Sequence, residues 1–545
     1  MIVLVGHIGC MEVNKMGNYL NPSSRKFRMN VNSQIYVDKS GLIKEINKLV
    51  DTQQRYVCVS RPRRFGKSMA ADMLAAYYGC KEDTSVLFDE MKIGEDDSYK
   101  KHLNQYNVLT INIQEFLSAT GSVDEMLDML KQYVSLDLFD AYEQVRFRDK
   151  NNFVQVMRDV YDATERSFII LIDEWDCLFR EYQHDLDAQR KYLDFLRAWL
   201  KDQTYVSLAY MTGILPIKKY GSHSALNMFT EYSMTNPRSL AEYFGFTEDE
   251  VKALCAEHGM SFEETKAWYD GYELTTQTGQ ETIAHSMYSP KSVVDAMLSH
   301  TFDTYWNQTE TYEALKVYIQ MNMDGLKDAV TRMLAGESVP VDISGFSNDM
   351  TTFYCADDVF SLLIHLGYLN YNRITCSASI PNKEVREVYV TSIKRIDGWG
   401  EVIRSIEASR KLLQSLWDMD EKAVATGIDQ AHDEISILRY NDENSLSCTI
   451  NLAFYYAREY YTIVRELPTG KGFADICLIP RLLHADKPAV VIELKRDRTA
   501  QGAIDQIKAK NYVKALEDYR GNLLLVGINY DKEKKHSCKI EKITL

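Results

Sequence analysis

Three consecutive residues in the first half of the chain, Gly66, Lys67 and Ser68, have the types and the order of a phosphate-binding site. They follow the apolar stretch Val57–Val59, so a strand would run into a basic loop and then into a helix that opens at Lys-Ser. Backbone N–H groups at the helix N-terminus would meet the phosphates, Lys67 would reach the β and γ oxygens, and Ser68 could ligate Mg²⁺. Arg61 stands where the full G-x-x-x-x-G-K-[ST] pattern has its first glycine.

A second chemical stretch, Phe168–Trp175, places Asp173 and Glu174 directly after five apolar residues. This pattern predicts a buried parallel strand that delivers two carboxylates at its C-terminal end. Asp173 would hold Mg²⁺, usually through water, and Glu174 would polarise the attacking water. An apolar strand that ends in Asp is common by itself, so the hypothesis depends on the basic loop that precedes it.

The last part of the chain contains two apolar stretches that predict a β-hairpin, Phe473–Pro480 and Ala489–Lys495. Glu493 and Lys495 lie two residues apart and therefore share one face of a strand. Asp475, Glu493 and the carbonyl of Leu494 could hold Mg²⁺ or Mn²⁺ through oxygen ligands, and Lys495 would orient or activate a water. This arrangement suits the metal-assisted hydrolysis of a phosphodiester.

Seven motifs follow one another in a fixed order: YVDKSGLI (Tyr36–Ile43), SRPRRFGKSM, FIILIDEWD, MTGILPI (Met211–Ile217), FGFTEDEV (Phe244–Val251), WYDGY (Trp268–Tyr272) and YSPKSVV (Tyr288–Val294). This order resembles the bacterial AAA-ATPase-like family that carries a C-terminal PD-(D/E)XK nuclease-like domain. The resemblance extends over nearly the whole chain beyond residue 30. RPRRFGKS is that family's own form of the phosphate loop, so the missing glycine is a family trait.

The resemblance implies a P-loop ATPase that uses ATP and Mg²⁺. It implies contact with the nucleotide for the loop residues Arg63, Arg64, Phe65, Gly66, Lys67 and Ser68. The arginines of the loop, Arg61 included, could offset phosphate charge, or face solvent or acidic neighbours. Thr212 could sense the γ-phosphate or the attacking water, or merely cap its strand. Tyr36 and Val37 are candidates for adenine contact or for capping a core helix.

Asp475, Glu493 and Lys495 resemble the PD-(D/E)XK core, with Ala474 in place of the proline. The resemblance implies a metal-dependent endonuclease that acts on DNA and uses Mg²⁺ or Mn²⁺. The E-x-K pattern alone is frequent in strands, so the surrounding elements matter.

Two such elements carry further candidate residues. A helix predicted over Ala503–Leu516 places Gln506 and Tyr512 where the family has its Q…Y element. Glu443, ahead of a helix predicted over Leu446–Tyr461, is the candidate for the family's first-helix carboxylate, with Glu434 as the competing residue.

The predicted elements indicate an α/β multidomain protein. Strands that alternate with helices predict a parallel sheet with both faces covered, built from strands near Val57 and at Val108–Ile113, Phe168–Asp173 and Val206–Thr212. Helical periodicity without strand signals predicts a helical lid, and Val385–Ile393 is predicted to be the second strand of a wing. The predicted domains are an N-terminal extension (1–30), an AAA-like P-loop core (31–235), a helical lid (236–336), a winged-helix-like connector (337–425) and a PD-(D/E)XK-type α/β domain (426–545).

The net charge and its distribution along the chain indicate which binding partners are to be expected. The net charge of −15 argues against a protein that coats nucleic acid non-specifically. From Lys487 to the end of the chain, however, 13 Lys and Arg stand against 8 Asp and Glu. This local excess favours a phosphate-facing flank, with a solvated lysine-rich face as the alternative.

The spacing of the cysteines and the lengths of the apolar runs indicate the cellular compartment to be expected. Ten cysteines without a C-x-x-C pair are typical of a reducing cytosol and disfavour zinc ribbons. No apolar run reaches the length of a membrane span, so we expect a cytoplasmic protein without a membrane partner. Residues 1–15 are expected to be an extension ahead of a natural start at Met16, and a homo-oligomer is left open.

Three functions remain after the sequence has been read. The first is a P-loop ATPase coupled to a metal-dependent phosphodiesterase that acts on DNA. The second is an ATP-binding regulatory or scaffold protein whose nuclease-like domain binds nucleic acid or a partner without cleavage. The third is an ATPase that acts in mobile-element or phage-defence biology and cleaves nothing itself. Intact Asp475, Glu493 and Lys495 favour the first.

Overall fold

The computed structural model describes residues 18–217, 226–278, 281–306, 311–321, 323–347, 350–434, 443–469, 472–509, 516, 522–531 and 535–543. The chain divides into two compact units. One comprises Met1–Gln308 with Pro340–Glu384, and the other comprises Thr309–Val339 with Val385–Leu545.

The helices in the described ranges are α1 (Arg25–Val31), α2 (Gly41–Asn47), α3 (Lys67–Tyr78), α4 (Ser85–Phe88), α5 (Tyr99–His102), α6 (Ile113–Ser118), α7 (Val123–Ala141), α8 (Phe153–Thr164), α9 (Cys177–Glu181), α10 (Leu186–Leu200), α11 (Glu248–His258), α12 (Phe262–Tyr269), α13 (Pro290–Ser299), α14 (Thr311–Ile319), α15 (Leu326–Leu334), α16 (Ala356–Leu366), α17 (Lys383–Ile393), α18 (Gly400–Trp417), α19 (Glu421–Glu434), α20 (Glu443–Ala453), α21 (Ala457–Tyr460) and α22 (Ala500–Ala509). None of these helices combines the length and the apolar character that crossing a bilayer would require.

The strands in the described ranges are β1 (Tyr56–Ser60), β2 (Asn107–Asn112), β3 (Phe168–Asp173), β4 (Val206–Gly213), β5 (Thr230–Tyr232), β6 (Phe246–Thr247), β7 (Tyr272–Thr278), β8 (Glu281–Tyr288), β9 (Val339–Pro340), β10 (Asn370–Asn372), β11 (Ser377–Ser379), β12 (Tyr461–Thr469), β13 (Gly472–Pro480), β14 (Ala489–Arg496), β15 (Leu523–Tyr530) and β16 (His536–Ile543).

The first unit is built on a five-stranded parallel sheet in the order β2-β3-β4-β1-β5. Its two faces bury separate apolar clusters: Cys58 packs into one cluster, while Val57 and Val59 pack into the other. Because successive side chains of a strand point to opposite faces, a continuous apolar strand can fill both cores. The predicted parallel sheet is confirmed, and β5 is a strand that the sequence pattern did not indicate.

The region predicted to be a helical lid contains an antiparallel hairpin, so the prediction of helices alone was wrong. Strands β7 and β8 pair from Tyr272 with Met287 to Thr278 with Glu281, and β6 pairs with β8. Tyr272 and Leu274 are buried, whereas the first residues of β8 are exposed. Only the base of the hairpin packs into a core. The alternation of buried and exposed residues is therefore too short to be recognised in the sequence as a strand pattern.

The segment Val385–Ile393 is helical, so its prediction as a strand was also wrong. Its buried residues are Val385, Val388, Tyr389, Val390, Ser392 and Ile393, and all but Val390 have the spacing of one helix face. The alternation of apolar and polar residues that predicted a strand lies within α17, where packing overrides the strand preference of the β-branched residues. The antiparallel pair that follows α16 is instead β10 with β11. Helix α16 itself ends before Gly367, which has a left-handed conformation (φ +86°).

The second unit contains a five-stranded mixed sheet in the order β12-β13-β14-β15-β16, in which only β14 and β15 run parallel. One apolar cluster joins one face of the sheet to residues of α18, α19 and α20, and another joins the opposite face to α22. The predicted β13–β14 hairpin is confirmed. Strands β12 and β16 were not predicted, and the helix predicted to reach Tyr461 is divided into α20 and α21.

Candidate functional site

The loop between β1 and α3 has the backbone that a phosphate site requires. Gly66 precedes α3 in the left-handed region at φ +88°, which a residue without a Cβ adopts at little cost. The first N–H groups of α3 therefore lie at the C-terminal end of a central strand, which is where parallel sheets bind their ligands.

Lys67 is folded over this loop. Its side chain is buried, and its Nζ donates to the carbonyl oxygens of Arg61 at 3.0 Å and Pro62 at 2.9 Å. Burial lowers the pKa of Lys67, while the charges of Glu174 and Asp176 act in the opposite direction. The lysine predicted to bind phosphate is thus held at the loop by neutral partners that a phosphate oxygen could replace.

Asp173 joins the loop to two neighbouring strands. Ser68 Oγ donates to Asp173 Oδ2 at 2.7 Å, and Thr212 Oγ1 donates to Asp173 Oδ1. The contact forms because β3 and β4 are adjacent parallel strands that end at the same edge of the sheet. The structure therefore brings together Ser68, Asp173 and Thr212, and this set of hydroxyl and carboxylate oxygens fits a Mg²⁺ ion.

Glu174 has a partner that the sequence analysis missed. Its carboxylate forms an ion pair with Arg180 on α9, and Arg180 Nε lies 3.7 Å from Asp176 Oδ2. Asp176 is fully buried and accepts hydrogen bonds from two backbone N–H groups that follow β4. The spacing Asp176 to Arg180, four residues apart on a helical turn, was the available signal.

Arg61 does not face the phosphate site. Its guanidinium is fully buried and donates to the carbonyl oxygens of Ser60 at 2.9 Å and Tyr232 at 2.7 Å. Its Cζ also lies 5.5 Å from the centre of the Phe244 ring. The side chain that replaces the first motif glycine therefore fills a core position beside β1 and β5.

The side chains of the other loop residues, Arg63, Arg64 and Phe65, lie in different surroundings. Arg63 is exposed, whereas Arg64 donates to the carbonyl oxygen of Tyr305 at 2.9 Å. Phe65 is buried, and its ring meets that of Tyr272 edge-on with 5.3 Å between centroids. Because Arg64 and Phe65 use their side chains in these contacts, the backbone of the loop is the part best placed for a phosphate.

Tyr36 and Val37, the adenine candidates, both pack on apolar clusters of the first unit. Tyr36 meets Phe27 edge-on at 6.4 Å between centroids. Burial raises the pKa of Tyr36 beyond its usual range. These contacts fit the alternative in which the two residues belong to a core, and their contact with adenine stays a prediction.

The second site lies where β13 and β14 are adjacent. Their register pairs Ile476 with Ile492, so Asp475 and Glu493 follow as the next opposed residues. Asp475 Oδ2 accepts a hydrogen bond of 2.7 Å from the backbone N–H of Leu494. Lys495 Nζ lies 2.9 Å from Glu493 Oε1, and the Glu493 side chain is only 2% exposed. The three predicted residues therefore meet at one place.

Gln506 reaches the same carboxylate, since its Nε2 donates to Glu493 Oε1. Helix α22 can lie this close because Gly527 of β15 leaves room for it. A Cβ at Gly527 would stand 2.1 Å from the carbonyl oxygen of Ala500. Gly527 is also the β15 partner of Glu493 in the sheet register. Close packing at one glycine thus positions Gln506 over the acidic residue.

Three further candidates fall outside what the structure describes. Tyr512 lies outside the described residues, and so do the side chains of Glu443 and Glu434. Among the described residues, no cluster of three or more His, Cys, Asp or Glu could hold a metal. Within those residues the second site therefore offers Asp475 and Glu493, to which the predicted Leu494 carbonyl would add a third oxygen. Such an all-oxygen set fits Mg²⁺ or Mn²⁺.

Comparison with known families finds one match for each of the two parts of the chain that carry these sites. Residues 25–222 match the model of a predicted AAA-ATPase family, and residues 441–540 match the PD-(D/E)XK nuclease superfamily. The chain joins an AAA-ATPase-like domain to a PD-(D/E)XK nuclease superfamily domain. The first match includes Lys67, Asp173 and Thr212, and the second includes Asp475 and Glu493. The resemblance seen in the sequence is therefore confirmed.

One curated relative also matches. Over 363 residues the chain is 24% identical to the "Uncharacterized protein in vnfD 5'region" of Azotobacter chroococcum mcd 1. The match covers 64% of this chain and 63% of the relative, so the chain spans less than two thirds of that relative's length.

Proposed function

We propose that the AAA-ATPase-like domain binds and hydrolyses ATP and that the PD-(D/E)XK domain cleaves DNA with a divalent metal. The observation that carries the proposal is that each domain brings carboxylates and a lysine close together at one place on its sheet. Lys67 stands with Asp173 in the first domain, and Lys495 with Glu493 in the second.

In the ATPase-like domain we assign each residue its proposed role from its position around the phosphate loop. Lys67 would exchange its carbonyl partners for the β and γ oxygens, and Glu174 would accept a proton from the attacking water. The water oxygen would bond to the γ-phosphorus as the bond to the bridging oxygen breaks, and ADP would leave with that electron pair. Ser68 and Asp173 would hold Mg²⁺, which neutralises phosphate charge when it is bound.

In the nuclease domain, Lys495 would orient the attacking water, and Gln506 would hold Glu493 in place. The water oxygen would bond to phosphorus and release its proton to solvent while one P–O ester bond breaks, and the leaving oxygen would take a proton from solvent. Asp475, Glu493 and the Leu494 carbonyl would hold a Mg²⁺ or Mn²⁺ ion, which lowers the pKa of bound water when it is present.

We further propose a cytoplasmic location. The nine described cysteines are free thiols, and five of them are buried. Buried free thiols are compatible with a reducing compartment.

ATP binding is tested with Lys67→Ala, and Lys100→Ala serves as the control because Lys100 is exposed and forms an ion pair with the exposed Asp89. Calorimetric titration with MgATP should show binding by wild type and by Lys100→Ala, and at least about a 100-fold weaker affinity for Lys67→Ala. Full affinity in Lys67→Ala would reject the proposed nucleotide site.

Nuclease activity is tested by nicking of supercoiled plasmid with Mg²⁺ or Mn²⁺, with and without ATP. We expect cleavage by wild type and by Asp486→Ala, a control at an exposed carboxylate of the same domain. Asp475→Ala, Glu493→Ala and Lys495→Ala should lose it. Unchanged cutting by these variants would place the activity elsewhere, and DNA binding without cutting by wild type would favour the scaffold function.

A further inference from the structure

Arg180 occupies a central position in the ATPase site that the proposed hydrolysis does not use. It is 13% exposed and forms its ion pair with Glu174, the residue proposed to accept the proton of water. Glu174 itself has a left-handed backbone, with φ +53°. The proposed base is therefore held by a guanidinium at a backbone position that most residues avoid.

Arg180 is also tied to the strand that carries Thr212. Asp176, four residues before Arg180, is fully buried, and its Oδ2 accepts from the N–H groups of Ile214 at 3.0 Å and Leu215 at 2.8 Å. These two residues directly follow β4, which contains Thr212. Arg180 thus lies between the proposed base and the segment beyond the proposed γ-phosphate sensor.

The charges around Arg180 favour the exchange of its carboxylate partner for a phosphate group. Burial alone would lower the pKa of Arg180, but Asp176 and Glu174 raise it, so the guanidinium stays charged. Within the described residues its Nε has no hydrogen-bond partner, although the atom is buried. A guanidinium matches phosphate oxygens in a fork geometry, and a γ-phosphate carries more negative charge than one carboxylate.

We propose that Arg180 is a positioning residue that holds Glu174 in the nucleotide-free protein and moves to the γ-phosphate of a bound nucleoside triphosphate. The move frees the Glu174 carboxylate to accept a hydrogen bond from the attacking water. Departure of the γ-phosphate returns Arg180 to Glu174. The inference rests on the ATPase function proposed above and adds to it a discrimination between triphosphate and diphosphate.

A purely structural Arg180 would behave differently. If the side chain only anchored α9, its loss would weaken ATP and ADP binding alike, or neither. A residue that changes partner when a γ-phosphate arrives affects the triphosphate alone. The ratio of the two affinities is therefore the decisive quantity.

The experiment measures the affinities of ADP and of a non-hydrolysable ATP analogue, each with Mg²⁺. The proteins are wild type, Arg180→Gln, Arg180→Lys and the control Arg190→Gln, whose side chain is 71% exposed. In Arg180→Gln we expect the preference for the triphosphate to fall by about 10-fold while ADP affinity changes by less than about 3-fold. Arg180→Lys should recover part of the preference, and Arg190→Gln should match wild type.

The outcomes separate the two proposals. Wild-type binding with an unchanged affinity ratio in both Arg180→Gln and Arg180→Lys overturns the role of Arg180 and leaves the ATPase function standing. Failure of wild type to bind either nucleotide overturns both. If Arg180→Gln does not fold, as judged by circular dichroism, Arg180→Lys decides: a ratio equal to that of wild type, with unchanged turnover, overturns the role.

Discussion

Ser68 and Asp173, 105 residues apart in sequence, are joined by a hydrogen bond of 2.7 Å from the Ser68 hydroxyl to Asp173 Oδ2. The bond places the start of α3 beside the end of β3, which are the two parts that a nucleotide and its metal ion need together. The same carboxylate also accepts from Thr212.

Ser68→Ala should therefore weaken nucleotide binding only when Mg²⁺ is present. We expect MgATP affinity to fall about 10-fold, because one metal ligand is lost, whereas affinity in EDTA should stay within about 2-fold of wild type. Titration of both proteins with and without Mg²⁺ checks this. Ser33→Ala, at an exposed serine of the same unit, is the control. An equal loss in EDTA would show that Ser68 supports the loop and not the ion.

Arg61→Gly restores the first glycine of the phosphate-loop pattern, yet we expect it to destabilise the protein. The change removes a buried guanidinium that donates to the carbonyl oxygens of Ser60 and Tyr232, and it leaves a cavity beside the sheet. The free energy of unfolding should fall by about 3 kcal/mol, measured by urea denaturation. Arg63→Gly, two residues along at an exposed position, should cost less than about 1 kcal/mol. Equal losses would contradict the core role of Arg61.

Glu384 should make stability depend on pH. Burial raises its pKa from 4.5 to about 7, although it accepts hydrogen bonds of 2.7 Å from the N–H groups of Tyr305 and Trp306. The folded protein therefore binds this proton more tightly than the unfolded chain. The stabilisation is complete below about pH 4.5 and is lost as the pH rises to about 7.

Glu384→Gln removes this titration. Its free energy of unfolding relative to wild type should rise by about 3 kcal/mol between pH 4.5 and pH 8, as urea denaturation at several pH values would show. Glu143→Gln, at an exposed carboxylate, should show no such trend. A constant difference between Glu384→Gln and wild type would mean that folding does not raise the pKa of Glu384.

Gln506→Ala should impair the nuclease through Glu493, to which Gln506 donates a hydrogen bond. We expect the Mg²⁺ concentration for half-maximal plasmid cleavage to rise about 10-fold, because the metal ligand loses an orienting partner. Gln501→Ala is the matched control, since Gln501 lies on the same helix and contacts Asp505 and Glu541 instead. The same shift in both variants would point to a general effect on α22.

Much of both sites could be predicted from the sequence because their chemistry lies at the ends of strongly apolar strands. Phe168–Asp173 is a strand with the bounds that were predicted, and it delivers Asp173 to the sheet edge. The two-residue spacing of Glu493 and Lys495 likewise places both on one face of β14, where they meet. The sequence alone predicts the site geometry at these positions, because it depends only on a buried strand and on the two-residue alternation of side chains along it.

Only the tertiary structure decided the features that depend on distant partners. Arg61 turns inward because the carbonyl oxygens of Ser60 and of Tyr232 in β5 accept its donors. Val385–Ile393 is helical because one helix face of it is buried, against its β-branched composition. Side-chain partners and burial are set by packing between remote segments, and no local pattern encodes them.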